Sequence, residues 1–156
     1  MNTTKNLDKA EQYSRSSCLR ISGVAATPEE VTDDIVISIA SECGVDLSPK
    51  DIDRSHRLPT RQAATGSNPR PAVIIVKFLS YRSRTSVLSA KSRLKDNNTY
   101  KGVYINKDLT RYRAGLLRSA RHLVKSAKAT SAWSRDGRIL IRKIDGSCVV
   151  ISSEDE

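Results

Sequence analysis

Residues 72–78 read AVIIVKF, a short run dominated by β-branched residues and interrupted by one charge. Such a run, bounded by turn-forming residues, predicts a buried β-strand that lies centrally in its sheet. Parity places Ile74, Val76 and Phe78 on one face and Val73, Ile75 and Lys77 on the other. Immediately upstream, 59–71 (PTRQAATGSNPRP) holds three prolines, a glycine and small polar residues, and reads as a surface loop carrying Arg61 and Arg70. Before the loop, 52–58 (IDRSHRL) predicts a second strand with broken parity, since Arg54 and His56 share a face with Ile52 and Leu58. A β-bulge or a partly buried His56 would resolve the conflict. Further upstream, 18–24 (CLRISGV) alternates Leu19 and Ile21 against Arg20 and Ser22 as a half-buried strand. Between these two strands, Thr27, Pro28 and Glu30 form a capping-box start for a helix. It continues through Val31, Ile35 and Ile39, with Val36, Ala40 and Cys43 alongside, and ends at Gly44.

Downstream of 72–78, a second helix follows Ser80 to about Leu94 with Val87, Leu88 and Leu94 inward, and 103–105 is a short strand. Thr110 then caps a third helix reaching about Lys128. Leu116, Leu117, Ala120, Leu123, Val124 and Ala127 make one apolar face, opposite Arg111, Arg118, His122 and Lys125. Residues 131–134 and 139–144, joined by Arg135-Asp136-Gly137-Arg138, predict a hairpin, and Asp145-Gly146 turns into a third strand at 148–151. The expectation is an α+β protein. A polar segment at 1–16 precedes a β-α-β-β-α-β domain at 17–108, a small helix-plus-three-stranded-meander domain at 109–152, and an acidic tail at 153–156.

Charge is segregated along the chain. The net charge is +10, yet residues 1–53 hold 5 Lys/Arg against 10 Asp/Glu, 54–143 hold 22 against 3, and 144–156 hold none against 4. A one-signed block of this kind repels itself, which a polyanionic partner relieves. Six of the seven aromatic residues also fall in the basic block, and Tyr81, Tyr112 and Trp133 sit beside arginines. Cations that hold phosphates, interleaved with rings that stack bases, are the composition of a single-strand binding surface. The element order with a basic second half suggests the architecture of the RNA recognition motif, although its base-stacking aromatics are replaced by Arg20, Val73 and Ile75.

Several blocks carry a fuller resemblance: CLRISGV at 18–24, DIDRSHRLP at 51–59, RPAVIIVKF at 70–78, YINKDLT at 104–110, LLRSARHL at 116–123 and WSRDGRILIRK at 133–143. In this order they resemble the first-open-reading-frame proteins of LINE-type retrotransposons and the C-terminal domain of the baculovirus few-polyhedra proteins. The resemblance implies an RNA-recognition-like domain followed by a small C-terminal domain, with single-stranded RNA held in a basic cleft between them. It also implies RNA packaging and strand-annealing chaperone activity in a ribonucleoprotein. The retrotransposon proteins trimerise through a long upstream coiled coil. This chain shows no heptad array, and a monomer or weak dimer is expected.

On these grounds the candidate nucleic-acid-binding residues are Arg20, Arg70, Lys77, Arg82, Arg84, Tyr104, Lys107, Arg111, Tyr112, Arg113, Arg118, Trp133, Arg135 and Arg138. Arg113 is the anomaly among them, because it falls near the centre of the apolar face of the third helix, where an unpaired guanidinium is costly. A cleft mouth shared with Lys107, Arg111 and Tyr112 is the expected resolution. The partner is single-stranded RNA, with single-stranded DNA as a second candidate, in the cytoplasm or the nucleus.

No enzyme is expected. GxxxxGK[ST], HExxH and GxSxG are missing from the sequence. The acidic cluster Glu29, Glu30, Asp33 and Asp34 suits the first turns of a helix better than a metal, and no cofactor or metal is predicted. Three cysteines without a CxxC pair do not suggest a disulfide scaffold, and no run approaches the length of a membrane span. The alternatives are a baculovirus-like or domesticated protein-interaction module and, below it, a metal-dependent nuclease.

Overall fold

A computed structural model describes residues 2–59 and 70–151, with side chains from residue 6 onward. Most of the proline-rich loop, including Arg61, and the acidic tail at 153–156 lie outside the described residues. The chain divides into two compact units, one of residues 17–108 and one joining 1–16 to 109–156.

The 17–108 unit runs strand, helix, strand, strand, helix, strand: β1 (Cys18–Ser22), α2 (Thr32–Glu42), β2 (Ile52–Arg57), β3 (Ile74–Phe78), α3 (Tyr81–Ser89) and β4 (Tyr104–Lys107). The four strands form one antiparallel sheet in the order β2-β3-β1-β4. Strand parity divides it. Leu19, Ile21, Ile74, Val76, Phe78 and Ile105 are buried in one core with Val36, Ile39 and Val87 of the helices. Across the other face runs a row His56–Ile75–Arg20–Asn106, fixed by three successive pairings. The broken parity of β2 is settled by a bulge between Ile52 and Arg54, which leaves His56 exposed.

The same bulge turns Arg57 toward the helices, into an ion pair that residue order does not announce. Its Nε donates to Glu30 Oε1 at 2.7 Å and its Nη2 to Oε2 at 3.0 Å, while Nη1 donates to the carbonyls of Val24 and Ala72. The guanidinium beside Glu30 holds that carboxyl below its ordinary pKa. This pairing accounts for a correction: α2 begins at Thr32, not at Thr27–Pro28. Glu30 reaches Arg57 and the Thr27 N–H, and Glu29 adopts φ 60°, which no helical residue takes. The second expected helix also divides, α3 giving way to a 3-10 turn at Lys91–Asp96 that keeps Leu94 buried.

In the other unit α4 (Arg111–Lys125) packs on a three-stranded antiparallel sheet, β5 (Ser131–Arg135), β6 (Arg138–Arg142) and β7 (Cys148–Ile151), in the order β5-β6-β7. Thr110 caps α4 by accepting from the Arg113 N–H, and Leu116, Leu117 and Ala120 meet Ile139, Ile141 and Ile151. The expected polar segment at 1–16 contains a helix, α1 (Asn2–Ser14). It docks by hydrogen bonds, with Gln12 Oε1 accepting from Thr110 N at 2.8 Å and Asp8 Oδ1 from Thr110 Oγ1 at 2.5 Å. A carboxylate there also faces the positive end of α4.

Candidate nucleic-acid interface

The three-stranded sheet has two unlike faces. Ala132, Ile139, Ile141, Val149 and Ile151 point to α4. Alternation therefore puts Ser131, Trp133 and Arg135 of β5 on the opposite face, with Arg138, Leu140 and Arg142 of β6 and Cys148 and Val150 of β7. The register builds a row Trp133–Leu140–Val150 across all three strands. Arg142 lies over the indole at 5.9 Å from the ring centroid, and Arg135 pairs with Arg138 at the hairpin end. Trp133 and Leu140 are half-buried, while Val150 and the three arginines are exposed. Among the described residues none of the three arginines has a carboxylate partner. An apolar row containing an indole, edged by three uncompensated guanidinium groups, can stack a base and hold the phosphates beside it.

The open face of the four-stranded sheet is also basic but partly neutralised. Arg20 lies 3.7 Å from Asp108, and Lys77 3.8 Å from Asp53. Arg54 adds an exposed positive charge in the neighbouring strand beside the exposed His56, and Tyr104, 65% exposed, stands opposite Ser22. Between the charges sits Ile75, so the centre of this face has no ring on which a base could stack.

The remaining candidates are scattered. Arg70, before β3, and Arg82, on α3, are exposed, as are Arg111, Tyr112 and Arg118 on α4. Lys107 pairs in register with Leu19, which gives it the parity of the helix-packed face. Arg84 is buried at 8% exposure and does not lie at the surface beside Arg82.

Arg113 is paired within its own unit, which answers the anomaly it poses in the sequence. Its Nε donates to Asp8 Oδ2 at 2.8 Å and its Nη1 to the Gly137 carbonyl at 2.7 Å. The guanidinium that looked uncompensated in the sequence ties α1 and the β5–β6 turn to α4. Conversely, Arg142, Leu140 and Val150 were not among the candidates. Counting outward from the Asp136-Gly137 turn would have placed Leu140 and Arg142 beside Trp133, and counting from the Asp145-Gly146 turn would have added Val150, because hairpin register is set by the turn.

No helix among the described residues is long and apolar enough to cross a membrane, and no group of three or more His, Cys, Asp or Glu side chains is placed to hold a metal. No family model matches the chain, and no curated protein matches it in sequence.

Proposed function

We propose that the chain is a non-catalytic nucleic-acid-binding protein that takes single-stranded RNA by preference and acts as a retrotransposon-type packaging and strand-annealing chaperone. The observation that carries this reading is the outer face of β5-β6-β7, where Trp133 sits in an apolar row edged by Arg135, Arg138 and Arg142. A surface built only for solubility would intersperse carboxylates among its cations. Residues 109–143 hold 10 Lys/Arg and a single acid, Asp136, which lies in the hairpin turn.

The antiparallel order β2-β3-β1-β4 with its two helices supports reading 17–108 as an RNA-recognition-like domain. The missing ring at Ile75 argues against base reading by stacking on that sheet and moves the stacking role to Trp133. Affinity then comes chiefly from phosphates, which suits a protein that coats or anneals strands without strong sequence preference.

Titration of single-stranded RNA, single-stranded DNA and double-stranded RNA at two salt concentrations tests the reading. With 4–6 phosphates contacted on a single strand, the log–log salt slope is expected to be about −3 to −4. Salt-insensitive or absent binding would favour the protein-interaction reading, and Mg²⁺-dependent cleavage of the strand would favour a nuclease.

A further inference from the structure

Arg84 is buried with one of its donors left without an acceptor. It is 8% exposed, and its Nε has no hydrogen-bond partner. Among the described residues no carboxylate pairs with it. Its guanidinium carbon instead lies over a ring, that of Tyr81, 5.2 Å from the centroid. A ring face attracts a cation but does not replace an in-line acceptor for a buried N–H.

Tyr81 is the first residue of α3, so the Arg84 side chain runs back toward the N-terminal end of its own helix, the direction in which helical side chains lean. At that end Ser80 caps the helix, its Oγ accepting from the Ser83 N–H at 3.1 Å. The N–H of Arg82 is one of the first-turn donors that no helical carbonyl can reach, and the helix dipole places partial positive charge at the same spot. A buried N–H without an acceptor thus runs back toward a helix N-terminus.

We infer that the first turn of α3 is a phosphate site, with Arg84 as its fixed donor and the Arg82 N–H as a second. The inference rests on the nucleic-acid reading for its ligand, a phosphate of the bound single strand. A tetrahedral oxyanion suits donors arriving from a side chain and from a helix end at once. Burial holds Arg84 in place before the ligand arrives, whereas the exposed Arg82 side chain must be ordered by it.

The test follows the Arg84 Nε–H signal and the amides of residues 82–84 by ¹⁵N NMR in the full chain. Inorganic phosphate, chloride at matched ionic strength, and a short oligouridine are added separately. Saturable movement with phosphate and with oligouridine, but not with chloride, is the expected result. In parallel, Arg84→Met, which keeps an apolar stem, should weaken oligouridine binding about tenfold at low salt and lower the magnitude of the salt slope by about 0.7. Oligouridine binding that perturbs Trp133 while the Arg84 signal stays still overturns the inference and leaves the nucleic-acid reading standing. Movement with phosphate in a protein that binds no oligouridine overturns that reading and keeps the site, with free phosphate as its ligand. A signal that neither ligand moves overturns the site.

Discussion

Arg113 and Asp8, 105 residues apart in sequence, are joined by a 2.8 Å hydrogen bond from Nε to Oδ2 that fixes α1 against the start of α4. Both side chains are largely buried, at 18% and 13% exposure, so neither charge is well served by water if the other is removed. Arg113→Ala and Asp8→Asn should each destabilise the protein by about 2 kcal/mol. In a double-mutant cycle read by urea unfolding, the coupling should be about 1 kcal/mol or more. Additive losses would mean that the pair does no joint work. Strand binding should survive Asp8→Asn in the folded protein, because the carboxylate serves packing.

Acid should weaken the 17–108 unit through Glu30. Its hydrogen bond from Arg57 lowers its pKa in the folded state below the ordinary 4.5. The stabilisation is therefore present above the unfolded pKa and is lost as pH falls through the folded one. Glu30→Gln should be less stable than the natural chain at pH 7, and the gap between their urea midpoints should narrow as the pH drops below about 4.5. A gap that stays constant would remove Glu30 from the acid response.

Two glycines with similar backbones should respond differently to alanine. Gly23 has φ 89°, and a Cβ there would lie 2.1 Å from the Gly102 carbonyl oxygen, whereas Gly146 has φ 93° with nothing within 4 Å. Gly146→Ala should therefore cost only the left-handed backbone penalty, about 1 kcal/mol. Gly23→Ala must also displace backbone and should cost clearly more. Thermal unfolding of the two variants makes the comparison.

What the sequence made legible followed from periodicity. The alternation in β1 and β3, the bulge in β2, the cap at Thr110 and the hairpin at Asp136-Gly137 all leave marks in residue order. The docking of α1 does not, because it rests on Asp8 and Gln12 hydrogen-bonding to α4, and polar contacts between distant segments have no period. For the same reason Arg113 looked uncompensated and Arg57 unremarkable: each finds its carboxylate across the fold. The candidate interface was half legible. Trp133, Arg135 and Arg138 stand close together in sequence, while Leu140, Arg142 and Val150 join them only through strand register.

If bases stack on the outer face of the small sheet, Trp133 and the arginines should fail in different ways. Trp133→Ala should weaken single-strand binding by about 1–3 kcal/mol with little change in salt slope, since an indole releases no counterions. Arg142→Ala should lower the magnitude of the slope by about 0.7. Indole fluorescence gives a direct readout, because the chain has one tryptophan. An emission spectrum unmoved by saturating oligouridine would take Trp133 out of the interface.

The decisive comparison holds charge constant and varies only place. Arg138 and Arg142 edge the Trp133 row, whereas Lys91 and Lys95 are exposed on the 3-10 turn of the 17–108 unit. Each pair removes two positive charges when changed to alanine, and all four side chains are exposed, so the stability of either variant should move by no more than about 0.5 kcal/mol per substitution. Circular dichroism and urea unfolding can check that before binding is measured. Diffuse electrostatic attraction would make the two double variants equally weak, because it depends on total charge alone. A strand seated on the outer face instead loses two phosphate contacts in Arg138→Ala/Arg142→Ala, and the magnitude of the salt slope should fall by about 1.4. The same measurement on Lys91→Ala/Lys95→Ala should return nearly the slope of the natural chain, with a small loss of affinity that vanishes as salt rises. Equal slopes in the two variants would mean that the basic block attracts the strand without seating it on β5-β6-β7.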